Sequence, residues 1–371
     1  TRAHHDRIIN PAHPENHQTI KESKTMSKTP LLGITEGDPA GIGPEITVQA
    51  IHNMADERSF IPIVYGDPAI ISRACSVTGL SETVRRITSE EQIEPEPNVI
   101  NVVDTGTIPH ADSIEWGSVQ ELAGRAAIAS IEAATAAALS GKIDGVVTSP
   151  INKEAIWKTG SEFLGHTEML GSLCGTPDTD TMFVVSGLKI FFATRHMSLR
   201  EAVDSIRRDL IDHEIHKALR ALKVFGCNSP KLAVAALNPH AGEGGHFGTE
   251  EIEVLRPAVK SACAEGYNVV GPVPADSVFH KGVIGEYDGV LSLYHDQGHI
   301  ASKTLDFDGT VSVTAGLPIL RTSVDHGTAF DIAGQGAASP MTMQSALHVA
   351  SDFASFVPAI REEYSPNTGR N

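Results

Sequence analysis

Three histidines stand in polar segments, each directly after an apolar run of strand length. They are His196 in Thr194-Arg195-His196-Met197 after KIFFA, His240 in NPHAGEGG after KLAVAAL, and His295 in YHDQG after GVLSL. A fourth such segment, Gly165-His166-Thr167-Glu168, follows Ser149-Pro150-Ile151-Asn152-Lys153. In an open α/β sheet, ligands collect outside the carboxyl ends of the strands, where these histidines are expected. Three imidazoles from distant parts of a chain can gather one divalent ion and leave a position open for substrate oxygens. Histidines at strand ends also serve as plain hydrogen-bonded residues, and this set has no short-range spacing of the HExxH kind to decide between the two.

Positive charge appears in glycine- and serine-rich surroundings at Lys153, Lys303 and Arg321. There Arg can clamp a phosphate with paired hydrogen bonds and Lys can act as a point charge, or either can be a solvated surface group. The segment RTSVDHGTAFDIAG, residues 321–334, is denser in polar groups than packing requires. Its Asp325, His326, Thr328 and Asp331 either line a nucleotide pocket or cap the helix that follows.

These residues need a frame, and the apolar pattern supplies one. Strands are expected at 30–35, 61–65, 99–103, 145–148, 182–186, 190–193, 232–237, 289–293 and 310–314, with helices at 44–54 and 117–139 between them. Such alternation predicts an α/β/α architecture on a largely parallel sheet. No G-x-G-x-x-G with a following acidic residue is present, so the Rossmann dinucleotide fingerprint is absent. The nearest glycine-rich element, EGDPAGIGPE at 36–45, has its own pattern, with Pro44 suited to a first helical turn. It is either a cofactor or anion contact at a helix N-terminus or a tight turn.

The chain has 371 residues, long enough for two domains of ordinary size. A net charge of −17 opposes nucleic acid or anionic membrane as a bulk partner. No stretch is expected to supply the roughly 20 apolar residues of a membrane span. Scattered Cys75, Cys174, Cys227 and Cys263 form no CxxC pair and suggest free thiols in a reducing, cytoplasmic setting. Residues 1–25, polar and rich in His and Pro, read as a disordered extension or added sequence ahead of a start at Met26.

Taken in order, GDPAGIGPE, GHTE, NPHAGEGG, GPVPADSVF, YHDQG and GLPILRTSVDHGTAFDIAG resemble the 4-hydroxythreonine-4-phosphate dehydrogenase family of vitamin B6 biosynthesis, from residue 31 to about 350. The resemblance implies a two-lobed fold like that of isocitrate and isopropylmalate dehydrogenases. Residues 26–155 plus 310–371 would form one lobe, and 156–309 a second lobe carrying a dimer interface. The active site would lie in the cleft, shared between the subunits of a homodimer. The resemblance further implies one divalent ion, whether zinc, magnesium, manganese or cobalt, on His196, His240 and His295. It implies substrate contacts from His166, Thr167, Lys303, Ser312 and Arg321, and catalytic roles for His166, Lys303 and Asp276. NAD or NADP would lie near Asp325, His326, Thr328 and Asp331.

Two departures matter. Ser312 replaces the Asn usual in the biosynthetic enzymes, and His299-Ile300-Ala301 replaces the common Leu-Pro-Val. Both resemble the family's catabolic branch, which acts on acid sugars such as D-threonate 4-phosphate. The activity implied is metal-dependent oxidation of a phosphorylated 3-hydroxy acid by NAD(P), followed by decarboxylation of the β-keto acid. Two alternatives remain at this point. One is a dehydrogenase of an unphosphorylated aromatic dihydrodiol dicarboxylate, as in terephthalate breakdown. The other is a non-catalytic relative that binds metal or metabolite.

Overall fold

The structure, a computed structural model, describes residues 28–366 apart from residue 177. The extension expected at 1–25 and the start expected at Met26 lie outside the described residues. The strands are β1 (Leu31–Thr35), β2 (Ile61–Gly66), β3 (Thr83–Ile87), β4 (Val99–Asp104), β5 (Gly145–Thr148), β6 (Asp180–Val185), β7 (Leu188–Phe192), β8 (Lys231–Ala235), β9 (Asn268–Val273), β10 (Gly289–Ser292), β11 (Val311–Ala315) and β12 (Arg321–Ser323). They form one sheet in the order β3-β4-β2-β1-β5-β12-β11-β6-β7-β10-β8-β9. The sheet is parallel except around β11, which runs antiparallel to both β12 and β6, and between β6 and β7. Helices cover both faces, as the α/β/α expectation requires.

All nine expected strands coincide with observed ones, and three observed strands were not expected. β3 (TVRRI) carries two arginines and β9 (NVVGPV) a Gly-Pro pair, sequences tolerated because both strands lie at sheet edges. β12 has three residues, Arg-Thr-Ser, and takes its place in the middle of the sheet. The helix expected at 117–139 begins at Glu121, because Gly117 turns the chain with φ 66 against the Phe330 carbonyl. Helix Glu121–Leu139 also corrects the expectation that no segment reaches membrane-spanning length. It has 19 residues and a mean hydropathy of 1.3. Its buried side chains, Ile131 among them, pack on the sheet beside β1, β2 and β5. They serve the core.

The two faces of the sheet differ. On one, a single apolar cluster runs from Ile100 and Val64 through Leu32, Val147, Val313 and Met182 to Leu291 and Val234. Helices Gly43–Asn53, Met341–Phe353 and Arg208–Val224 cover it. The other face has two clusters. Ile63, Tyr65, Val146, Ile131 and Met169 form one, and Phe183, Ile190, Phe192, Val290 and Val278 the other. A band of polar side chains lies between them.

Candidate active site

Strand register creates that band. Thr35 pairs with Thr148, Thr148 with Ser323, and Ser323 with Ser312, so four hydroxyls share one face across β1, β5, β12 and β11. Arg321 and Thr314 stand on the same face, two residues back along β12 and onward along β11. Arg321 is only 4% exposed. It donates through Nε (3.1 Å) and Nη2 (2.7 Å) to Thr148 Oγ1, and through Nη1 (2.9 Å) to Thr314 Oγ1. Thr148 passes its own proton to Ser323 Oγ at 2.9 Å. A guanidinium has five N–H groups, and neither of the other two has a partner among the described residues. Burial lowers the Arg321 pKa to about 10. The acid nearest in effect, Asp325, is already paired with Lys303 at 2.6 Å. A buried cation facing only neutral hydroxyls is costly alone and complementary to an anion.

His166 opens helix His166–Cys174 next to this guanidinium. Burial, and then the Arg321 charge, push its pKa well below the usual histidine range, so the ring is neutral. Its Nε2 is buried without a hydrogen-bond partner. Thr167 is half-buried beside it, and Ser312 is half-buried in the hydroxyl row. Lys153 is exposed at the start of helix Lys153–Lys158, which Asn152 caps by accepting from the Ala155 N–H at 2.9 Å.

His196 and His295 follow β7 and β10, neighbours in the sheet, and their ring centroids are 6.0 Å apart. They line a cavity of about 600 Å³ with Arg195, Met197, Leu199 and Tyr294. Arg195 is anchored behind them by Asp180 at 3.2 Å and Thr181 Oγ1 at 2.7 Å. Burial, then the adjoining His295, lowers the His196 pKa. His295 donates from Nδ1 to Asp296 Oδ1 at 2.6 Å, which commits that nitrogen and leaves Nε2 uncommitted among the described residues. His299 stacks on His295 with centroids 3.5 Å apart, and its Nδ1 donates to the His295 carbonyl at 2.8 Å. On helix His295–Leu305 the residues His295, His299 and Lys303 recur every four positions and so share one face.

His240 is not in this cavity. No three His, Cys, Asp or Glu side chains gather in a metal-binding group among the described residues. His240 lies on the turn Pro239–Gly245 after β8, beside helix Ala275–Val283, whose first turn carries the exposed Asp276. One chain therefore brings His196 and His295 together and holds His240 and Asp276 elsewhere.

The 325–336 segment folds over the EGDPAGIGPE turn. Glu45 accepts from the Gly334 N–H at 2.6 Å and the Gly336 N–H at 2.8 Å, and the buried Thr328 accepts at its carbonyl from the Ile42 N–H at 3.0 Å. His326 Nδ1 donates to the Gly327 carbonyl at 3.0 Å, and its Nε2 accepts from Thr342 Oγ1 at 2.8 Å. Asp331 is exposed. The sequence reading missed Thr148, Thr314, Ser323, Glu45 and the stacked position of His299. The cue for Thr148 is its place at the end of β5, directly before the Ser149–Lys153 run.

An α/β/α protein on one mixed sheet, with a buried anion-seeking strip across its middle, is the class that fold and site define. The family model for the pyridoxal phosphate biosynthetic protein PdxA matches residues 58–350, and the chain belongs to that family of dehydrogenases. A Cutibacterium acnes relative named "Putative D-threonate 4-phosphate dehydrogenase" is 96% identical over 346 residues, covering 93% of this chain and all of the relative. A Symbiobacterium thermophilum relative of the same name is 48% identical, covering 89% of this chain and 98% of its own. Among solved structures, a 4-hydroxythreonine-4-phosphate dehydrogenase from Klebsiella pneumoniae superposes with a TM-score of 0.81 at 40% identity, covering 88% of this chain and 99% of that one. A terephthalate 1,2-cis-dihydrodiol dehydrogenase from Burkholderia xenovorans superposes at 0.59 with 29% identity, covering 88% and 98%.

Proposed function

We propose that this chain oxidises a phosphorylated 3-hydroxy acid, D-threonate 4-phosphate in preference to 4-hydroxythreonine 4-phosphate, and that the resulting β-keto acid loses carbon dioxide. The observation that carries this reading is Arg321, a buried guanidinium with unclaimed N–H groups and no carboxylate of its own. The names of the relatives, together with Ser312 and His299, favour the acid sugar. In this reading residues 26–155 and 310–371 form one lobe, 156–309 the other, and the strip is the floor of the cleft. The net charge and the metabolic character of the relatives support a cytoplasmic enzyme acting on small anions rather than nucleic acid or membrane.

The residues present fit a divalent ion. His196 is held neutral, and His295 has its Nδ1 committed to a carboxylate that orients the ring and leaves Nε2 to ligate. His196 and His295 of one subunit would hold the ion, with His240 supplied by a second copy. A divalent ion held by these residues would supply Lewis-acid chemistry toward the hydroxyl to be oxidised. NAD or NADP, the hydride acceptor, is proposed beside the 325–331 segment, where Asp331 is exposed.

The chain's own residues do the rest. Arg321 and Lys303 grip the phosphate, Lys303 exchanging Asp325 for it, and Thr167 and Ser312 orient the carbon chain. That remote grip fixes the reacting carbon in place. His166 accepts the hydroxyl proton at Nε2. The burial that keeps it neutral also makes its cationic form short-lived, and the substrate anions offset part of that cost. Asp276 is placed near the shared site on the side of His240.

A substrate panel tests the reading, following reduced nicotinamide at about 340 nm. D-threonate 4-phosphate is expected to turn over with divalent metal, to stop with chelator, and to fail in His295→Ala. Turnover only of the unphosphorylated aromatic dihydrodiol dicarboxylate would replace this reading with the terephthalate-type one. No reduction across the panel, with metal bound, would make the chain a binding protein.

A further inference from the structure

The turn that carries His240 departs further from ordinary backbone geometry than any other segment described. Residues 240–244 all lie in the left-handed region, with φ of 53, 56, 79, 42 and 66°, and Gly245 follows at 99°. His240, Ala241 and Glu243 carry β-carbons, for which this region is disfavoured. Such a run persists only when its surroundings over-determine it.

The surroundings converge on one side chain. Glu251 is fully buried. Its Oε1 accepts from the backbone N–H groups of Leu237 at 2.9 Å and Asn238 at 2.7 Å, and its Oε2 accepts from Asn238 Nδ2 at 2.9 Å. The same Oε2 fills the hollow of the turn, since a β-carbon on Gly242 would come within 2.8 Å of it. Glu251 itself begins a π-helical turn, Glu251–Leu255, that leads into helix Arg256–Ala264. Rare π turns recur at functional sites. We infer that Glu251 is a positioning residue whose buried carboxylate braces the left-handed turn and so fixes where His240 is presented to a divalent cation. The inference rests on reading His240 as a ligand, a role for which no group of three metal-ligating side chains gathers among the described residues.

The test strips the full-length protein of metal and titrates it with Co²⁺, reading the visible d–d absorption, alongside thermal melts without metal. Wild type, Glu251→Gln and His240→Ala are compared. Glu251→Gln, similar in size but uncharged and poorer in acceptors, is expected to bind Co²⁺ about 10–100-fold more weakly, as loss of an orienting partner does. Its d–d bands should also be displaced. A merely structural role would lower the melting temperature and leave affinity and bands unchanged in the folded protein. That result, with His240→Ala losing binding, overturns the inference. Unchanged Co²⁺ binding in His240→Ala would instead remove the ligand assignment, and the inference with it. If Glu251→Gln does not fold, Asn238→Ala removes the amide arm of the brace, together with that amide's bond to Glu250 Oε2 at 2.7 Å. It should weaken Co²⁺ binding at least threefold, and unaltered affinity there overturns the inference.

Discussion

Thr148 shows how a hydroxyl with no chemistry of its own can govern an anion site. Its single oxygen receives two N–H groups from Arg321 and gives its proton to Ser323. Thr148→Val keeps the shape and removes the acceptor, stranding two buried donors at a cost of about 1–3 kcal/mol. The expected kinetic signature is a KM for the phosphorylated substrate raised at least tenfold with a smaller change in kcat, and restoration by Thr148→Ser. Equal falls in kcat for all substrates with KM unchanged would count against it. Arg321 and His166 were legible in the sequence because charged and imidazole groups in glycine-rich surroundings stand out. Thr148 and Thr314 were not, because threonine in a strand is indistinguishable from an ordinary β-former until register shows what it faces.

At the scale of elements, the strand ends were legible and the local conformations were not. Apolar runs placed nine strands correctly, whereas β12 was hidden because its three residues are all polar: Arg321 and Ser323 face the polar band, and Thr322 on the other face donates to the Ala346 carbonyl at 2.9 Å. Nor does NPHAGEGG announce a left-handed turn, since His240, Ala241 and Glu243 carry β-carbons that cost about 1–2 kcal/mol each in that conformation. The turn after β1 has its own legible consequence. Burial raises the Asp38 carboxyl to about 6, against backbone hydrogen bonds from Ala40 and Asn152 that pull the other way. Its ordinary value is 3.8. The folded state thus holds this proton to higher pH than the unfolded chain does. The linked stability is complete below about pH 4 and is lost as pH rises to about 6. Urea midpoints at intervals from pH 4 to 7 should show that decline, about 3 kcal/mol at most, and Asp38→Asn should flatten it. An equal slope in the variant would assign the decline to other groups.

For the whole molecule, the proposed sharing of sites makes a prediction that no single chain can satisfy. His240→Ala and His295→Ala should each be inactive. Mixed and allowed to exchange subunits, they form heterodimers in which one of the two sites has every ligand intact. Random pairing gives about a quarter of wild-type activity. No recovery, in mixtures shown to contain heterodimers, would place all three histidines within one subunit. Sequence alone could reach this proposal only through its resemblance to a family, because no spacing along a chain encodes what a second copy contributes.

The difference between the two faces of the sheet constrains how the molecule can move. One side is a single sealed core running the width of the sheet, and the other is divided by the polar strip. The construction is that of a scored board, intact along its back and cut along its front. Bending it widens or narrows the cut while the back only flexes, and no joint is needed because the hydrogen-bonded strands between β5 and β7 share the curvature as added twist. Under the function proposed above, substrate entry is expected to meet resistance distributed over many residues, so that a substitution in the sealed core far from Arg321 should alter how readily the cut opens.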